Sequence, residues 1–277
     1  MAGFGVGLLV GLTGVGGGAL MTPLLILLFG IHPASAVGTD LLYAAVTKTA
    51  GSLVHGFNRT VDWRVVRRLA TGSVPTTVLT MAALSYGDLN SATARDLISA
   101  VLTIALFATA LILIFREKIV ARYAARVGNL PPQRIAALTV GVGAALGVLV
   151  TISSVGAGAI GVTALILLYP RLPTARIVGS DIAHAVPLTL VAGIGHWLLG
   201  SVDLNVLASL LVGSVPGILI GSFAAARIPE TALRLVLAAT LIVVATKLSF
   251  GLYQTASTNM SVTDIGVRGA PKATTRH

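Results

Sequence analysis

The sequence has no cysteine, so a disulfide scaffold, a thiolate metal site and a cysteine nucleophile are excluded together. Charge is scarce too. Only 10% of the 277 residues are charged, whereas a soluble domain carries about 25%. The polar surface that a water-exposed globule needs is missing. Acidic residues are the rarest, 9 against 19 Lys and Arg, which leaves a net charge of +10. Apolar residues are abundant: 55% of the chain is hydrophobic and the mean hydropathy is +0.94. Uncharged runs of membrane-spanning length recur from end to end, which makes this an all-α polytopic membrane protein. The positive excess does not mark a nucleic-acid reader, which gathers its basic residues on one face with aromatic or polar partners. Here they sit in short loops between apolar runs, where they set membrane topology. The start, MAGFGVGLLVG, has no basic residue ahead of its apolar stretch. It lacks the n-region of a cleaved signal peptide and is expected to belong to the fold.

Residues 1–39 form one uncharged run. As a continuous helix this run would be about 58 Å long, against a hydrocarbon core of about 30 Å. Something must break it. The break is written at Gly14-Val15-Gly16-Gly17-Gly18, since consecutive glycines weaken a helix and tolerate irregular backbone. Further spans are expected at about 34–56, 68–88 and 96–116, followed by a basic stretch over 116–134. The pattern then restarts with a second overlong run between Arg134 and Arg171, interrupted at Ser153-Ser154-Val155-Gly156-Ala157-Gly158. Spans at about 174–200, 204–226 and 229–253 follow, and the Thr/Ser-rich residues 254–277 are expected to be a disordered tail.

A shift of 140 residues superposes Gly16 on Gly156, Gly18 on Gly158, Leu25-Ile26-Leu27-Leu28 on Leu165-Ile166-Leu167-Leu168, and Pro33 on Pro173. After one inserted residue the shift is 141. Gly38-Thr39-Asp40 then falls on Gly179-Ser180-Asp181, His55 on His196, Val61-Asp62 on Val202-Asp203, and Gly72-Ser73-Val74-Pro75 on Gly213-Ser214-Val215-Pro216. Apolar matches are cheap in a membrane sequence; aligned Asp, His and Pro are not. The chain is therefore divided into a first repeat, 1–125, a second repeat, 126–253, and the tail.

Loop charges decide how the repeats are oriented, because cytoplasmic loops concentrate Lys and Arg. If each overlong first element crossed once, the halves would be parallel and the loop cations would be divided between the two sides. If each folds back at its glycine break, the halves are inverted. Arg59, Arg64, Arg67, Arg68, Arg116, Lys118, Arg122, Arg126, Arg134, Arg171, Arg176, Arg227 and Arg234 then share the cytoplasmic side, with Arg95 alone outside. The inverted arrangement follows: two inverted repeats, each a broken, re-entrant first helix plus three spanning helices.

The stretch Gly-Leu-Thr-Gly-Val-Gly-Gly-Gly-Ala-Leu-Met-Thr-Pro (11–23), with Ala-Val-Gly-Thr-Asp-Leu (36–41) and their second-half counterparts, resembles the sulfite exporter TauE/SafE family over roughly residues 3–250. The resemblance implies a transporter of small organic or inorganic anions, often sulfur oxoanions, in the cytoplasmic membrane. The second half departs from the motif, with Ala157 in place of the middle glycine and Thr163 in place of Pro23.

The leading site candidates are the two breaks: Gly16, Gly17 and Gly18 in the first half, and Ser153, Ser154, Gly156 and Gly158 in the second. A half-helix that starts there turns free N–H groups and its positive dipole end toward the membrane interior, which suits an anion. The competing reading is that the glycines only allow close helix packing. Lys48 is the deepest cation of the spans and a candidate countercharge for the anion. Asp40, Lys48 and His55 share one helical stripe, and Asp181, His184 and His196 occupy the matching element. Asp40, Asp181, His184, His55 and His196 are thus candidates for proton or charge coupling, with helix-start stabilisation the alternative for the aspartates. Pro75 and Pro216 bend their helices, either as hinges or as static kinks. Asp62 and Asp203 read as residues of helix starts. The histidines are too dispersed for a metal centre, no cofactor motif is present and no catalytic constellation sits on one element. The expectation is a secondary transporter working by alternating access on a small anion, with a proton as coupling partner; a passive anion channel is the alternative. The oligomeric state, a homodimer included, stays open.

Overall fold

A computed structural model describes residues 4, 8, 18–89, 91–128, 130–225 and 230–268. Among these, nine helices follow one another: α1 (Gly18–Phe29), α2 (Pro33–Phe57), α3 (Trp63–Ser85), α4 (Ala92–Gly128), α5 (Pro132–Ser153), α6 (Ala159–Leu168), α7 (Thr174–Leu198), α8 (Leu204–Ala225) and α9 (Glu230–Arg268). By length and apolarity, Ala92–Tyr123, Pro132–Ser153, Thr174–Leu198 and Arg234–Tyr253 can each cross a membrane. Helices α2 and α3 match them in length but carry more polar residues, and Thr39, Asp40, Ser73 and Thr77 are turned inward. The protein is an all-α, multi-pass membrane protein.

Two helices outrun the expected spans. Helix α4 continues past Arg116 to Gly128, through much of the basic stretch, and α9 continues to Arg268, through residues read as disordered. A charge marks where a chain leaves hydrocarbon, but Ala, Arg and Lys propagate a helix equally well in water. Residues 269–277 lie outside the described residues.

The second overlong run breaks where expected. Helix α5 ends at Ser153, and Ser154 caps it in the left-handed region at φ 58°, its N–H donating to the Val150 carbonyl at 2.7 Å. Gly156 follows at φ +120°, a conformation that L side chains rarely adopt. Helix α6 then begins, and its 10 residues rise only about 15 Å, half the hydrocarbon thickness. The run folds back on itself: Tyr169, just past α6, is hydrogen-bonded through its hydroxyl to Thr139 Oγ1 near the start of α5 (2.8 Å) and receives a bond from Arg68 at the start of α3 (3.1 Å). Val65, Leu69, Leu165 and Ile177 pack together at this end. In the first half, Gly16 and Gly17 lie outside the described residues, while Gly18 opens α1, whose 12 residues rise about 18 Å.

Helices α2 and α7, which carry the aligned Gly-Thr-Asp and Gly-Ser-Asp motifs, pack antiparallel. The evidence for this direction is reciprocal contact: Gly38 lies against the Ser201 carbonyl and His196, and Gly179 against the Thr60 carbonyl and the His55 ring. A β-carbon at either glycine would strike backbone. Close approach lets two hydroxyls reach across: Thr39 Oγ1 accepts the Asp203 N–H at 3.0 Å, and Ser180 Oγ accepts the Asp62 N–H at 2.8 Å. Each aspartate in turn caps the next helix, Asp62 through the N–H groups of Arg64 and Val65 and Asp203 through those of Asn205 and Val206. The other contacts are simpler. Helices α3 and α5 meet through Gly72, Gly143 and Gly147, with Thr76 Oγ1 donating to the Ala144 carbonyl at 3.0 Å, the small-residue packing expected where lipid supplies no hydrophobic drive. Helices α4 and α9 pair through Leu102, Leu106, Leu237, Leu241 and their neighbours, and an Arg234–Glu117 ion pair at 2.6 Å joins the end of one to the start of the other. Pro75 and Pro216 are exposed within unbroken helices.

These contacts predict which glycines are indispensable. Gly38→Ala and Gly179→Ala should each destabilise the detergent-solubilised protein by about 1–3 kcal/mol, the usual range for overpacking. Gly141→Ala, where a β-carbon meets nothing within 4 Å, should be neutral or stabilising. Thermal unfolding of the three variants checks this; equal melting temperatures would exclude the reciprocal joint as a close backbone contact.

Candidate functional site

The second residue after each joint glycine is an aspartate, and both aspartates are buried: Asp40 at 0% exposure, Asp181 at 2%. The helices aim them at the half-helices. Asp40 Oδ2 accepts from Thr22 Oγ1 of α1 at 2.6 Å, whereas Oδ1 has no partner among the described residues. The buried hydroxyl of Ser154, in the break of the other half, lies beside this carboxyl outside good hydrogen-bond geometry, itself without a partner. Asp181 Oδ1 lies against Gly161 of α6, also unpartnered among the described residues. Gly161 is a glycine because the carboxyl fills the space of a side chain.

Lys48 stands two turns beyond Asp40 on the same face of α2 and is half-buried. Its ammonium is within electrostatic reach of Asp181 first and Asp40 second, and His184 faces it as well. No hydrogen bond or ion pair of this ammonium occurs among the described residues. His184 is fully buried; its Nε2 shares a 2.8 Å hydrogen bond with Ser73 Oγ while Nδ1 has no described partner. The matching pair in the other half is Tyr43, whose hydroxyl donates to Ser214 Oγ at 2.9 Å. One motif position thus carries a tyrosine in one half and an imidazole in the other.

The break itself offers donors. Among the described residues, the N–H groups of Ala157, Gly158 and Ala159 have no hydrogen-bond acceptor, while Gly161 and Val162 already bond back to the Gly156 and Gly158 carbonyls at 3.2 and 2.9 Å. These free N–H groups and the α6 dipole carry partial positive charge. The arrangement brings Asp40, Lys48, Ser154, Asp181 and His184 into one buried polar centre beside a half-helix N-terminus. Ser153 does not join it: its hydroxyl donates to the Leu149 carbonyl at 2.7 Å and accepts the Val155 N–H at 3.2 Å, bracing the break. His55 and His196 serve the joints instead. His55 Nδ1 pairs with Thr60 Oγ1 at 2.8 Å, and buried His196 donates from Nε2 to the Thr151 carbonyl at 3.0 Å.

Several participants escaped the sequence reading. Ser73 and Ser214 lay inside the repeated Gly-Ser-Val-Pro motif, where the proline drew attention. Thr39 and Ser180 lay inside the Gly-Thr-Asp and Gly-Ser-Asp motifs. Thr22 and Gly161 carried no repeat signal, because their importance arises only from what α2 and α7 point at them. A double-mutant cycle tests the least expected contact. Gly161→Ala should cost about 1–3 kcal/mol in the wild-type background, and most of that cost should vanish with Asp181→Ala. Equal losses in both backgrounds, read by thermal unfolding, would exclude the contact.

Comparison with known proteins agrees with this architecture. The family described as "Sulfite exporter TauE/SafE" matches residues 1–248. The chain is 39% identical over 249 residues to the "Probable membrane transporter protein YjnA" of Bacillus subtilis, covering 90% of this chain and 97% of that protein. It is 25% identical over 231 residues to the "Probable membrane transporter protein YdhB" of the same organism, covering 83% and 91%. No solved structure gives a significant match.

Proposed function

Because the chain belongs to the TauE/SafE sulfite exporter family, we propose that it moves a small anion, a sulfur oxoanion or an organic sulfonate or carboxylate, across the cytoplasmic membrane by alternating access. It is a multi-pass membrane transporter, not an enzyme. The observation that carries the anion reading is the buried centre itself: the free N–H groups at the start of α6 and the unpartnered Ser154 hydroxyl lie where the second half breaks, and the Lys48 ammonium is within electrostatic reach of the two aspartates beside them. Each helix terminus contributes about 0.3–1 kcal/mol to anion binding, and up to about 2 when partly buried. Such a site holds a small anion and still releases it.

The inverted-repeat reading draws support from the reciprocal contacts. Equivalent helices that run antiparallel, and exchange Gly38–His196 for Gly179–His55, are related by a two-fold axis across the helices. In a membrane protein that axis lies in the membrane plane, as it does in rocking transporters with discontinuous helices. The fold-back of α5 and α6 onto Tyr169 fits the same reading. The basic starts of α3, α5 and α7 then face the cytoplasm together, and the aspartates beside the breaks are the natural carriers of a coupling proton.

Lys48 is the first residue to test. Lys48→Met should lower anion flux into proteoliposomes at least tenfold while leaving yield and thermal stability intact, since removing a charge from a span lowers its insertion cost by about 2.5–3.5 kcal/mol. Gly158→Val, which crowds the break, should also lower flux. Wild-type flux of methanesulfonate and sulfite in Lys48→Met would overturn the reading.

A further inference from the structure

The polar centre holds two carboxyls and one ammonium, and the repeat makes the shortage conspicuous. Asp40 and Asp181 are equivalent, but the position equivalent to Lys48 is Thr189, whose hydroxyl is spent on the Ala185 carbonyl at 2.8 Å. Among the described residues, the surroundings supply no other full charge. Asp40 faces Thr22 of α1, Ser154 of the break, Tyr43 on its own helix and Lys48. Asp181 faces Gly161 of α6, Lys48 of α2, and His184 one turn along its own helix. His184, which faces the same ammonium and bonds to Ser73 of α3, enters the count as neutral, because a second cation there would be repelled.

Buried charge is tolerated only when balanced. With no anion bound, one ammonium balances one carboxylate, so the other carboxyl keeps its proton. The geometry assigns which is which. Gly51 of α2 lies against Ile182 of α7, which sets Lys48 beside the turn that carries Asp181 and His184, whereas Asp40 already accepts the Thr22 hydroxyl on Oδ2. An arriving anion is drawn to the same ammonium. Resting on the anion reading above, we propose that the substrate and Asp181 compete for Lys48, so that each singly charged anion binds together with one proton taken up by Asp181.

The consequences are specific. The bond gained is an O–H on Asp181, with the proton drawn from the side from which the anion enters and released with it on the other side. Transport is therefore electroneutral, one monoanion with one proton. A permanent dianion leaves one negative charge uncompensated, since Asp40 has no second proton to accept, and is rejected. The site thereby selects sulfonates and singly protonated oxoanions over sulfate.

Proteoliposomes of the full chain, loaded with a pH-sensitive dye, test this with methanesulfonate as fixed monoanion and sulfate as fixed dianion. Methanesulfonate influx should carry one proton per anion and be indifferent to a potassium diffusion potential of either sign. Sulfate influx should be at least tenfold slower. Methanesulfonate affinity should fall about tenfold per pH unit above the point at which Asp181 loses its proton, the slope for one linked proton. In the Asp40→Asn/Asp181→Asn double variant the proton ratio should drop from one to zero and the membrane potential should begin to drive the flux; in Asp40→Asn alone, where Asp181 still balances Lys48, the ratio should stay at one whatever the rate. Wild-type influx that is driven by potential and moves no proton would overturn the proposal and leave the anion reading standing, as would a ratio of one retained in the double variant or a ratio of zero in Asp40→Asn. Absence of wild-type flux for both probes would bring down the anion reading and this proposal with it. The wild-type ratio decides the matter even where a variant fails to fold.

Discussion

The antiparallel crossing of α2 and α7 is the constraint from which the remaining geometry follows. Each helix comes against the backbone just past the end of its partner only where it carries no side chain, and Gly38 and Gly179 supply that gap at opposite ends of the pair. Closeness then lets the next residue act: the Thr39 and Ser180 hydroxyls reach the Asp203 and Asp62 N–H groups of the facing loops. Those loops are fixed in turn, because the same aspartates cap α3 and α8. The third residue, Asp40 or Asp181, is left to turn inward toward a half-helix. Three consecutive residues thus make a joint, fasten a loop and arm the centre.

Inward carboxyls are costly in hydrocarbon. Insertion scales put an aspartate at the helix centre at about 2.5–3.5 kcal/mol, and here each keeps one oxygen without a described partner. A scaffold would gain by replacing them with apolar residues of similar volume. Other polar residues of the interior behave as scaffold does: Thr139, Thr151, Thr163 and Thr189 all return their hydroxyls to their own helix backbone. Besides single ring nitrogens of His32 and His196, the unpartnered atoms of Asp40, Ser154, Asp181 and His184 gather around the second break and Lys48. This concentration is what separates a site from mere polar packing.

Much of the plan was legible in the sequence because polar residues in a membrane chain are expensive, and so their repetition is informative. Aligned Asp40 and Asp181, or His55 and His196, pointed to a repeat; the overlong run and its glycines located the break at 153–158. Pairings between halves were not legible. That Ser73 meets His184, or that Gly161 makes room for Asp181, depends on the register of helices far apart in sequence. The partners of the histidines were illegible for the same reason. His55 and His196 sit at helix ends, where His55 bonds to Thr60 and His196 to the Thr151 carbonyl. Helix termini outside the bilayer were illegible too, since neither α4 nor α9 needs an apolar sequence to continue into water.

Asp40 and Asp181 match and lie at the centre, but other matched positions lie away from it. Residues that agree between the halves, Gly38 with Gly179, Asp62 with Asp203, Ser73 with Ser214, lie at joints, caps and interhelical bonds. Those that disagree, Lys48 with Thr189 and Tyr43 with His184, gather at the centre. The proposed two-fold arrangement accounts for both. Joints can be duplicated freely, because each copy does the same work at its own end. A centre on the axis cannot be duplicated: two lysines facing one another would repel across the point where a single small ligand has to fit. One ammonium is all that such a centre can hold, and one ammonium cannot be symmetric. In the proposed inverted repeat, the departure from symmetry at Lys48 follows from placing charge on the axis, and it leaves the two aligned aspartates in unequal surroundings.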